Sequence, residues 1–312
     1  MISAPVFLVG AERSGTTLLR LMLDHHPQIA FFHEFEFAVD LVGDDGTWPA
    51  LADYYRHLDL DRTAFHARVN IDRGLSYAEL VDSFLQQKRD RDGKERMGAT
   101  VHRNFHRLTY IWPEARFVHL LRDPRAVGRS VIQKGWAGNL WTAVERWLLA
   151  ESTWDAVVKT LTPDRYVEIR FENLIASPRT ELARICTMMG VAYHDDMLTY
   201  SQKSTYDKPD ASNAARWRSE LDNEAIRLAE ARLGPLLTKR GYTPSGLPPL
   251  TVTPTMEKAL AVQDHKYRRH VRIKRFGYAL CLVDYLARRC GITPLHRICQ
   301  KRINRINEQN LK

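Results

Sequence analysis

Apolar positions along the chain fall into two periods. Val6-Phe7-Leu8-Val9 is an unbroken apolar run, followed by a glycine-containing stretch and then by Leu18, Leu19, Met22 and Leu23 at helical spacing. This predicts a strand over 5–9, a turn over 10–15 and a helix from Thr16 to about His25. His26-Pro27 ends the helix, and Ile29-Ala30-Phe31-Phe32 reads as a second short strand. Residues 47–92 are helical in pattern and rather polar. Ser76-Tyr77-Ala78-Glu79 forms a capping box ahead of Leu80, Val81, Phe84 and Leu85. A strand at Arg116–Leu121 runs into Arg122-Asp123-Pro124-Arg125, with Pro124 suited to the first turn of the next helix. A long helix is expected over Leu140–Leu161, anchored in the core by Trp141, Trp147, Leu148 and Trp154. A strand at Tyr166–Phe171 then leads through Ser177-Pro178 to a helix ending at Gly190.

Strands alternating with helices over about 190 residues predict an α/β fold, a parallel sheet with helices on both faces. Ligands of such sheets bind beyond the carboxyl ends of the strands. Both Gly10–Thr17 and Arg122–Pro124 fall there. Past Gly241, Pro244-Ser245-Gly246-Leu247-Pro248-Pro249 reads as a linker. Three parts follow: a domain over 1–243, a linker over 244–254 and a helical tail over 255–312. In the tail, Phe276, Leu280, Val283, Ala287 and Cys290 share one helical face, and Leu295, Cys299, Ile303 and Ile306 share another.

Charge sharpens that division. The net charge of +9 is carried by residues 266–312, with 13 Lys and Arg against 2 Asp and Glu. Of the chain's 46 basic and 37 acidic residues, 33 and 35 remain for 1–265, a net of −2. A basic nucleic-acid-binding body is therefore not expected. The basic helical tail fits either an anionic membrane surface or a helical hairpin packed on the domain with its charge in water. Four residues precede the first strand, so no signal peptide is expected, and no apolar stretch has the length of a membrane span. Cys186, Cys281, Cys290 and Cys299 have neither zinc spacing nor a disulfide pattern. Reduced thiols and a cytoplasmic location, peripheral at the inner membrane surface if the tail binds lipid, are the expectation.

The turn carries the most chemistry. Gly10-Ala-Glu-Arg-Ser-Gly-Thr-Thr17 places consecutive backbone N–H groups and the hydroxyls of Ser14, Thr16 and Thr17 at a helix start, an arrangement that holds phosphate. Gly10 and Gly15 have the spacing of a Walker A loop, yet Thr16 stands where that loop carries its Lys, and a cation comes earlier, at Arg13. The loop suits a phosphorylated ligand other than ATP or GTP used in the ordinary way. Arg122 at a strand end, with Ser130 eight residues on, can face one anion if the chain turns between them, as Pro124 suggests.

Taken together these residues resemble a known family. Arg13-Ser14-Gly15-Thr16-Thr17 resembles the loop by which sulfotransferases bind the 5′-phosphosulfate of 3′-phosphoadenylyl sulfate (PAPS). Leu121-Arg122-Asp123-Pro124-Arg125-Ala126-Val127 with Ser130 resembles their 3′-phosphate segment. Phe171-Glu172-Asn173-Leu174 looks like their Tyr-Glu-Asp-Leu region, with Phe171 in place of Tyr. The resemblance spans roughly 5–243, to Lys239-Arg240-Gly241-Tyr242. Over Gly15–Glu36 it is nearest to tyrosylprotein sulfotransferases and their bacterial relatives, which share Arg-Ser-Gly-Thr-Thr and the His-Pro found here at His26-Pro27. It implies a P-loop-type sheet and sulfuryl transfer from PAPS to an acceptor hydroxyl or amine by in-line displacement.

Such transfer needs a base. Phe32-His33-Glu34-Phe35-Glu36 follows the second strand, and the aromatic residues at 31, 32, 35 and 37 would raise a carboxylate toward neutrality. Aligned on His26-Pro27, Glu34 falls on the family's proposed catalytic Glu, with Glu36 and His33 as alternatives. Many relatives carry a Lys before the 3′-phosphate strand. The matching stretch here, Arg96–Arg103, has none, so Arg96, His102 or Arg103 substitutes, or Arg13 carries that charge alone. A late loop, Ser204–Lys208, precedes Ala215-Arg216-Trp217-Arg218. Arg216 or Arg218 could meet phosphate there, and Trp217 either stacks on a purine or packs the domain. No metal is expected, since no cluster has ligand spacing. The acceptor, whether small molecule, lipid-linked group, carbohydrate or peptide, has no readable code. Two rival classes remain: a P-loop kinase or nucleotide hydrolase, weakened by the absent Walker Lys, and a non-catalytic anion-binding or membrane scaffold.

Overall fold

The computed structural model describes residues 1–202 and 212–309. These divide into two compact units, one formed by Met1–Arg122 with Trp147–Ala214 and the other by Asp123–Arg146 with Ala215 onward.

The first unit is built on five parallel strands: β1 (Val6–Val9), β2 (Ile29–Glu34), β3 (Arg96–Val101), β4 (Arg116–Leu121) and β5 (Tyr166–Arg170). Their spatial order is β2-β3-β1-β4-β5. Helices α1 (Thr16–Asp24), α2 (Leu51–Leu60), α3 (Arg62–Ala67), α4 (Tyr77–Asp92) and α5 (Leu108–Ile111) connect the first four strands. Helices α6 (Pro124–Gln133), α7 (Leu140–Ala143) and α8 (Glu145–Val157) lie between β4 and β5 in sequence, and α9 (Phe171–Ala176) and α10 (Pro178–Met189) follow β5.

Alternation along the strands splits the apolar core between two faces. Val6 and Leu8 pack with Leu19, Met22 and Leu23 of α1 and with Leu182 and Ile185 of α10. Phe7 and Val9 point the other way, onto Leu80, Val81, Phe84 and Leu85 of α4 and onto Trp112 and Trp154. These buried strands, lacking a polar face, are the consequence of helices on both sides. The chain leaves β1 toward β2 and leaves β4 toward β5, in opposite directions from neighbouring strands. That switch places a crevice at the carboxyl ends of β1 and β4.

Two expectations need correction. β3, the strand between β2 and β1, was not among the strands read from the sequence. The single helix expected over Leu140–Leu161 is interrupted at Val144 and ends in a 3₁₀ turn, Val158–Thr160. Its first turn, α7, is capped by Asn139, whose side chain accepts from Thr142 N and also donates to Leu260 O at 2.8 Å.

The second unit contains α6 and α7, then α12 (Trp217–Glu220), which follows the short α11 (Ser212–Ala215), α13 (Asn223–Leu233), α14 (Pro235–Lys239), α15 (Pro254–Phe276), α16 (Tyr278–Arg289) and α17 (Thr293–Gln309). Residues 244–253 form no helix or strand. Helix α15 is tied to α7 through Asp264, which is buried and accepts from Gly138 N at 2.8 Å and Thr142 Oγ1 at 3.0 Å. Among the described residues, no helix is long and apolar enough to cross a membrane, and all four cysteines are unpaired.

Candidate active site

Loop 10–15 turns between β1 and α1 in a conformation few sequences permit. Ser14 N donates to Ala11 O at 3.2 Å, closing the turn. Arg13 adopts φ 72°, the left-handed region that non-glycine residues occupy rarely and mainly at functional turns. Gly15 has φ 96°, and a Cβ there would lie 2.3 Å from the Phe171 ring. Both conditions require glycine. Gly15 is also the N-cap of α1 and supplies no side chain to cap it. The first-turn N–H groups of Thr16 and Thr17 therefore face outward at the positive end of the helix dipole. Ser14 is 1% exposed, and its Oγ has no hydrogen-bond partner.

Arg122 meets this loop directly. Standing one residue beyond β4, it donates from Nη1 to Arg13 O at 3.1 Å. Its guanidinium lies 4.2 Å from the centre of the Phe171 ring, and its carbonyl accepts from Trp147 Nε1 at 3.0 Å. Phe171 thus touches both Gly15 and Arg122. The aromatic ring, rather than a tyrosine hydroxyl, is what the packing uses. Three segments that the sequence keeps 49 or more positions apart, Arg13–Gly15, Arg122 and Phe171, meet at one sheet edge.

Glu34 ends β2, where a register shift between Phe32 and Glu34 in the pairing with β3 re-aims the strand. Its side chain is 41% exposed, and Oε2 accepts from Arg62 Nη2 at 2.9 Å. Arg62 belongs to a polar helical stretch that carried no signal of a role. Glu36, two residues on, is 2% exposed. Its Oε1 accepts from His102 N at 2.9 Å, and its Oε2 has no partner. Burial pushes its carboxyl up to about 7, and the charge of Glu34 adds to the rise, while His102 and Arg103 oppose it. The aromatic rings of this segment pack on one another, Phe35 and Phe37 edge-on at 5.0 Å and Phe32 and Phe35 likewise, and of the two carboxylates it is Glu36 that is buried. Burial, helped by Arg20, His66, Lys88 and Arg91, lowers His33 to about 4, so its ring is neutral and weakly basic near pH 7.

Of the three residues considered for the missing Lys, Arg96 begins β3, with its N–H bonded to Gln28 O, and so lies at the wrong end of the strand. Arg103 is held by Asp40 through Nε at 2.9 Å and Nη2 at 2.6 Å. His102, just past the carboxyl end of β3, donates from Nδ1 to Gly10 O at 3.1 Å and is the one of the three bonded to the loop.

Ser130, Arg216 and Trp217 belong to the second unit. Ser130 lies in the second turn of α6, whose N-cap, Asp123, accepts from Arg125 N. Arg216 caps α12. Trp217 is 2% exposed and packs on Ala126 and Ile226, with the guanidinium of Arg125 3.9 Å and that of Arg218 4.5 Å from its ring centre. Here the ring acts as a core anchor, not as an open platform for a purine. Ser204–Lys208 lies outside the described residues. Asp40, His57 and Asp61 bring ligand atoms within 4.8 Å of one another. Asp40 is, however, already engaged by Arg103 and Asn104, and Asp61 caps α3.

A family model described as "Sulfotransferase family" matches residues 5–195. Protein-tyrosine sulfotransferase 2 of Gallus gallus is 22% identical over 271 residues, covering 78% of this chain and 71% of its own length. Protein-tyrosine sulfotransferase A of Caenorhabditis elegans is 21% identical over 275 residues, covering 78% and 68%. Among solved structures, the sulfotransferase domain from the Synechococcus PCC 7002 olefin synthase aligns with a TM-score of 0.54 at 21% identity, over 73% of this chain and 93% of that one. That likeness is one of fold.

Proposed function

This chain belongs to the sulfotransferase family, and we propose that its crevice binds PAPS and passes the sulfuryl group to an acceptor hydroxyl or amine by in-line displacement. The observation that carries this reading is the bond from Arg122 to the carbonyl of Arg13. It sets a guanidinium from β4 against a phosphate-type loop from β1, as a ligand phosphorylated at two places requires. The residues fit such a ligand. Gly15 leaves the helix end uncapped, and the buried Ser14 Oγ lacks an acceptor that the chain itself does not supply.

When bound, PAPS supplies a sulfuryl group on a good leaving phosphate. The work left to the protein is orientation, charge stabilisation and proton removal. The N–H groups of Gly15–Thr17, the Ser14 hydroxyl and the Arg13 side chain hold the 5′ end and stabilise charge that grows on the leaving oxygen. Arg122 holds the 3′-phosphate. His102, anchored to Gly10 O through Nδ1, takes the place of the missing Lys when its ring is doubly protonated and Nε2 carries a hydrogen. Glu34 takes the acceptor's proton, its carboxylate steadied by the bond from Arg62 to Oε2.

A second assignment of the base rests on a specific observation. Glu36 has the raised carboxyl and the unpartnered oxygen, which suit proton transfer near neutral pH. Its burial means the acceptor would have to reach it through a shift of the 34–36 segment. Parallel Glu34→Gln and Glu36→Gln variants separate the two, since only the base variant loses turnover with nucleotide affinity intact.

The relatives named for protein tyrosine support including a phenolic hydroxyl among the acceptors. Incubating the enzyme with labelled PAPS and a metabolite extract, then locating the label by mass spectrometry, tests the reading directly. Label transfer to an organic acceptor supports it. ATP turnover without label transfer would instead support a P-loop kinase or hydrolase.

A further inference from the structure

The tail's two sequence-defined apolar faces turn inward for the most part. Ala287 is buried and Leu280 half-buried on α16, and Cys299 and Ile303 are buried on α17. Asp284 lies on that inner side of α16 at 0% exposure. It receives Arg272 Nη2 of α15 at 2.8 Å, His296 Nδ1 at 3.0 Å and Gln300 Nε2 of α17 at 2.8 Å, and it pairs with Arg288 at 3.3 Å. One carboxylate thus ties three helices together and is spent internally. Over residues 266–307 the sequence contains no other acid. The solvent-facing charge of this stretch is therefore all positive, with Lys274 and Arg275 ahead of α16 and Arg288 and Arg289 at its end, all exposed.

A different apolar stripe faces out. Tyr278, Leu282, Tyr285 and Leu286 recur at i, i+4, i+7 and i+8, which places them on one side of α16, and Arg289 at i+11 extends the same line. All are exposed, Tyr278 by 61%, and Ile292 in the following turn is exposed as well. Arg289 Nη1 donates to the Tyr285 hydroxyl at 2.8 Å, joining the cation to the stripe. Four large apolar side chains in a row on a soluble surface mark an interaction site.

We propose that this face of α16 is a docking surface for an anionic lipid bilayer, entered by Tyr278, Leu282, Tyr285 and Leu286 and held by the flanking Lys and Arg. Charge selects the occupant. A second copy paired about a two-fold axis would set cation against cation, while a nucleic acid would engage the Lys and Arg and leave Leu282 and Leu286 in water. An anionic headgroup layer over hydrocarbon satisfies both sets. The 12-residue helix is about 18 Å long, too short to cross a hydrocarbon core of about 30 Å, so it lies in the interface plane with its tyrosines at headgroup depth.

The test is co-sedimentation of the full-length protein with vesicles of phosphatidylcholine alone or mixed with phosphatidylglycerol, at low and high salt. Wild type should bind the anionic vesicles at least about tenfold better than the neutral ones, and lose that preference in high salt. Leu282→Ser with Leu286→Ser should lower anionic-vesicle binding about tenfold. Lys274→Gln, Arg275→Gln and Arg289→Gln together should abolish the preference for anionic lipid. Adenosine 3′,5′-bisphosphate affinity, unchanged in every variant, would certify the fold and keep the outcome separate from the sulfotransferase reading. Equal binding to both lipids, no binding to either, or a wild-type dimer in light scattering that the serine pair dissociates would overturn the proposal. So would vesicle binding that is insensitive to the serine pair.

Discussion

The carboxyl edge of the sheet and the outer face of α16 depart from ordinary burial in opposite senses. At the sheet edge, polar atoms are buried and short of partners: Ser14 Oγ, Thr100 Oγ1 and Glu36 Oε2 have no hydrogen bond. On α16, apolar side chains are exposed and ringed by cations. Each departure costs stability in the isolated chain, and each would be relieved by a suitable partner. The first suits a compact, multiply charged ligand that brings acceptors and donors into a small volume. The second suits an extended surface with charge above and hydrocarbon below. Orphaned polar groups point to small-ligand chemistry, and exposed apolar groups point to a partner with area.

The sharpest way to break the comparison is at the base. Glu34→Gln should lower turnover with PAPS by about 10²–10⁴-fold and leave bisphosphate affinity within about twofold, measured by calorimetry. Unchanged turnover in that variant would remove Glu34 from the mechanism. Next is the loop itself. Gly15→Ala forces a Cβ onto the Phe171 ring and a residue into φ 96°, which should cost about 2–3 kcal/mol in chemical denaturation and weaken nucleotide binding about tenfold or more. Retention of wild-type affinity would mean that the loop's geometry is not what holds phosphate.

On the other region, Asp284→Asn leaves Arg272, Arg288 and His296 around an uncharged amide. Because the arginines are half exposed, the loss should be about 1–3 kcal/mol, read as earlier protease cleavage within α15–α17. Cleavage unchanged from wild type would deny Asp284 its tying role.

For stability, Glu36→Gln has an effect confined to one side of neutrality and a definite sign. With the folded carboxyl near 7 and the ordinary value 4.5, the folded state binds the extra proton. The contribution of Glu36 to wild-type stability is then greatest below pH 4.5 and is lost as pH rises through 7. The variant should remove that slope and be the more stable protein at pH 8, by about 1–3 kcal/mol, with little difference at pH 4.5. Urea midpoints at the two pH values measure it, and an undiminished slope in the variant would place the titration elsewhere.

Much of the sheet was legible because its signals are local. The run Val6–Val9 before a glycine turn, and Pro124 after Arg116–Leu121, announce strand ends and helix starts without reference to the rest of the chain. β3 hid behind small residues. Gly98 reads as a breaker, yet it sits mid-strand because a Cβ there would lie 2.2 Å from the Phe31 ring and 2.6 Å from Val6 O. The reason is a neighbour 67 residues away. The site followed the same rule. Arg13, Gly15 and Arg122 were visible as motifs, whereas Arg62 opposite Glu34, His102 under Gly10 and the burial that distinguishes Glu36 from Glu34 arise only from tertiary packing. On α16, periodicity identified an apolar face correctly as helical but could not tell the inward face from the outward stripe, since both are apolar and a buried Asp lies on the inner one.

On the reading proposed above, one crevice holds a nucleotide phosphorylated at both its 5′ and 3′ positions. Calorimetric titration with adenosine 3′,5′-bisphosphate and with adenosine 5′-phosphate, on wild type and Arg122→Ala, tests it most directly. Wild type should prefer the bisphosphate by at least about tenfold, and Arg122→Ala should erase most of that preference while retaining adenosine 5′-phosphate. Equal affinity for the two nucleotides in the wild type, or a preference that survives loss of Arg122, would contradict it.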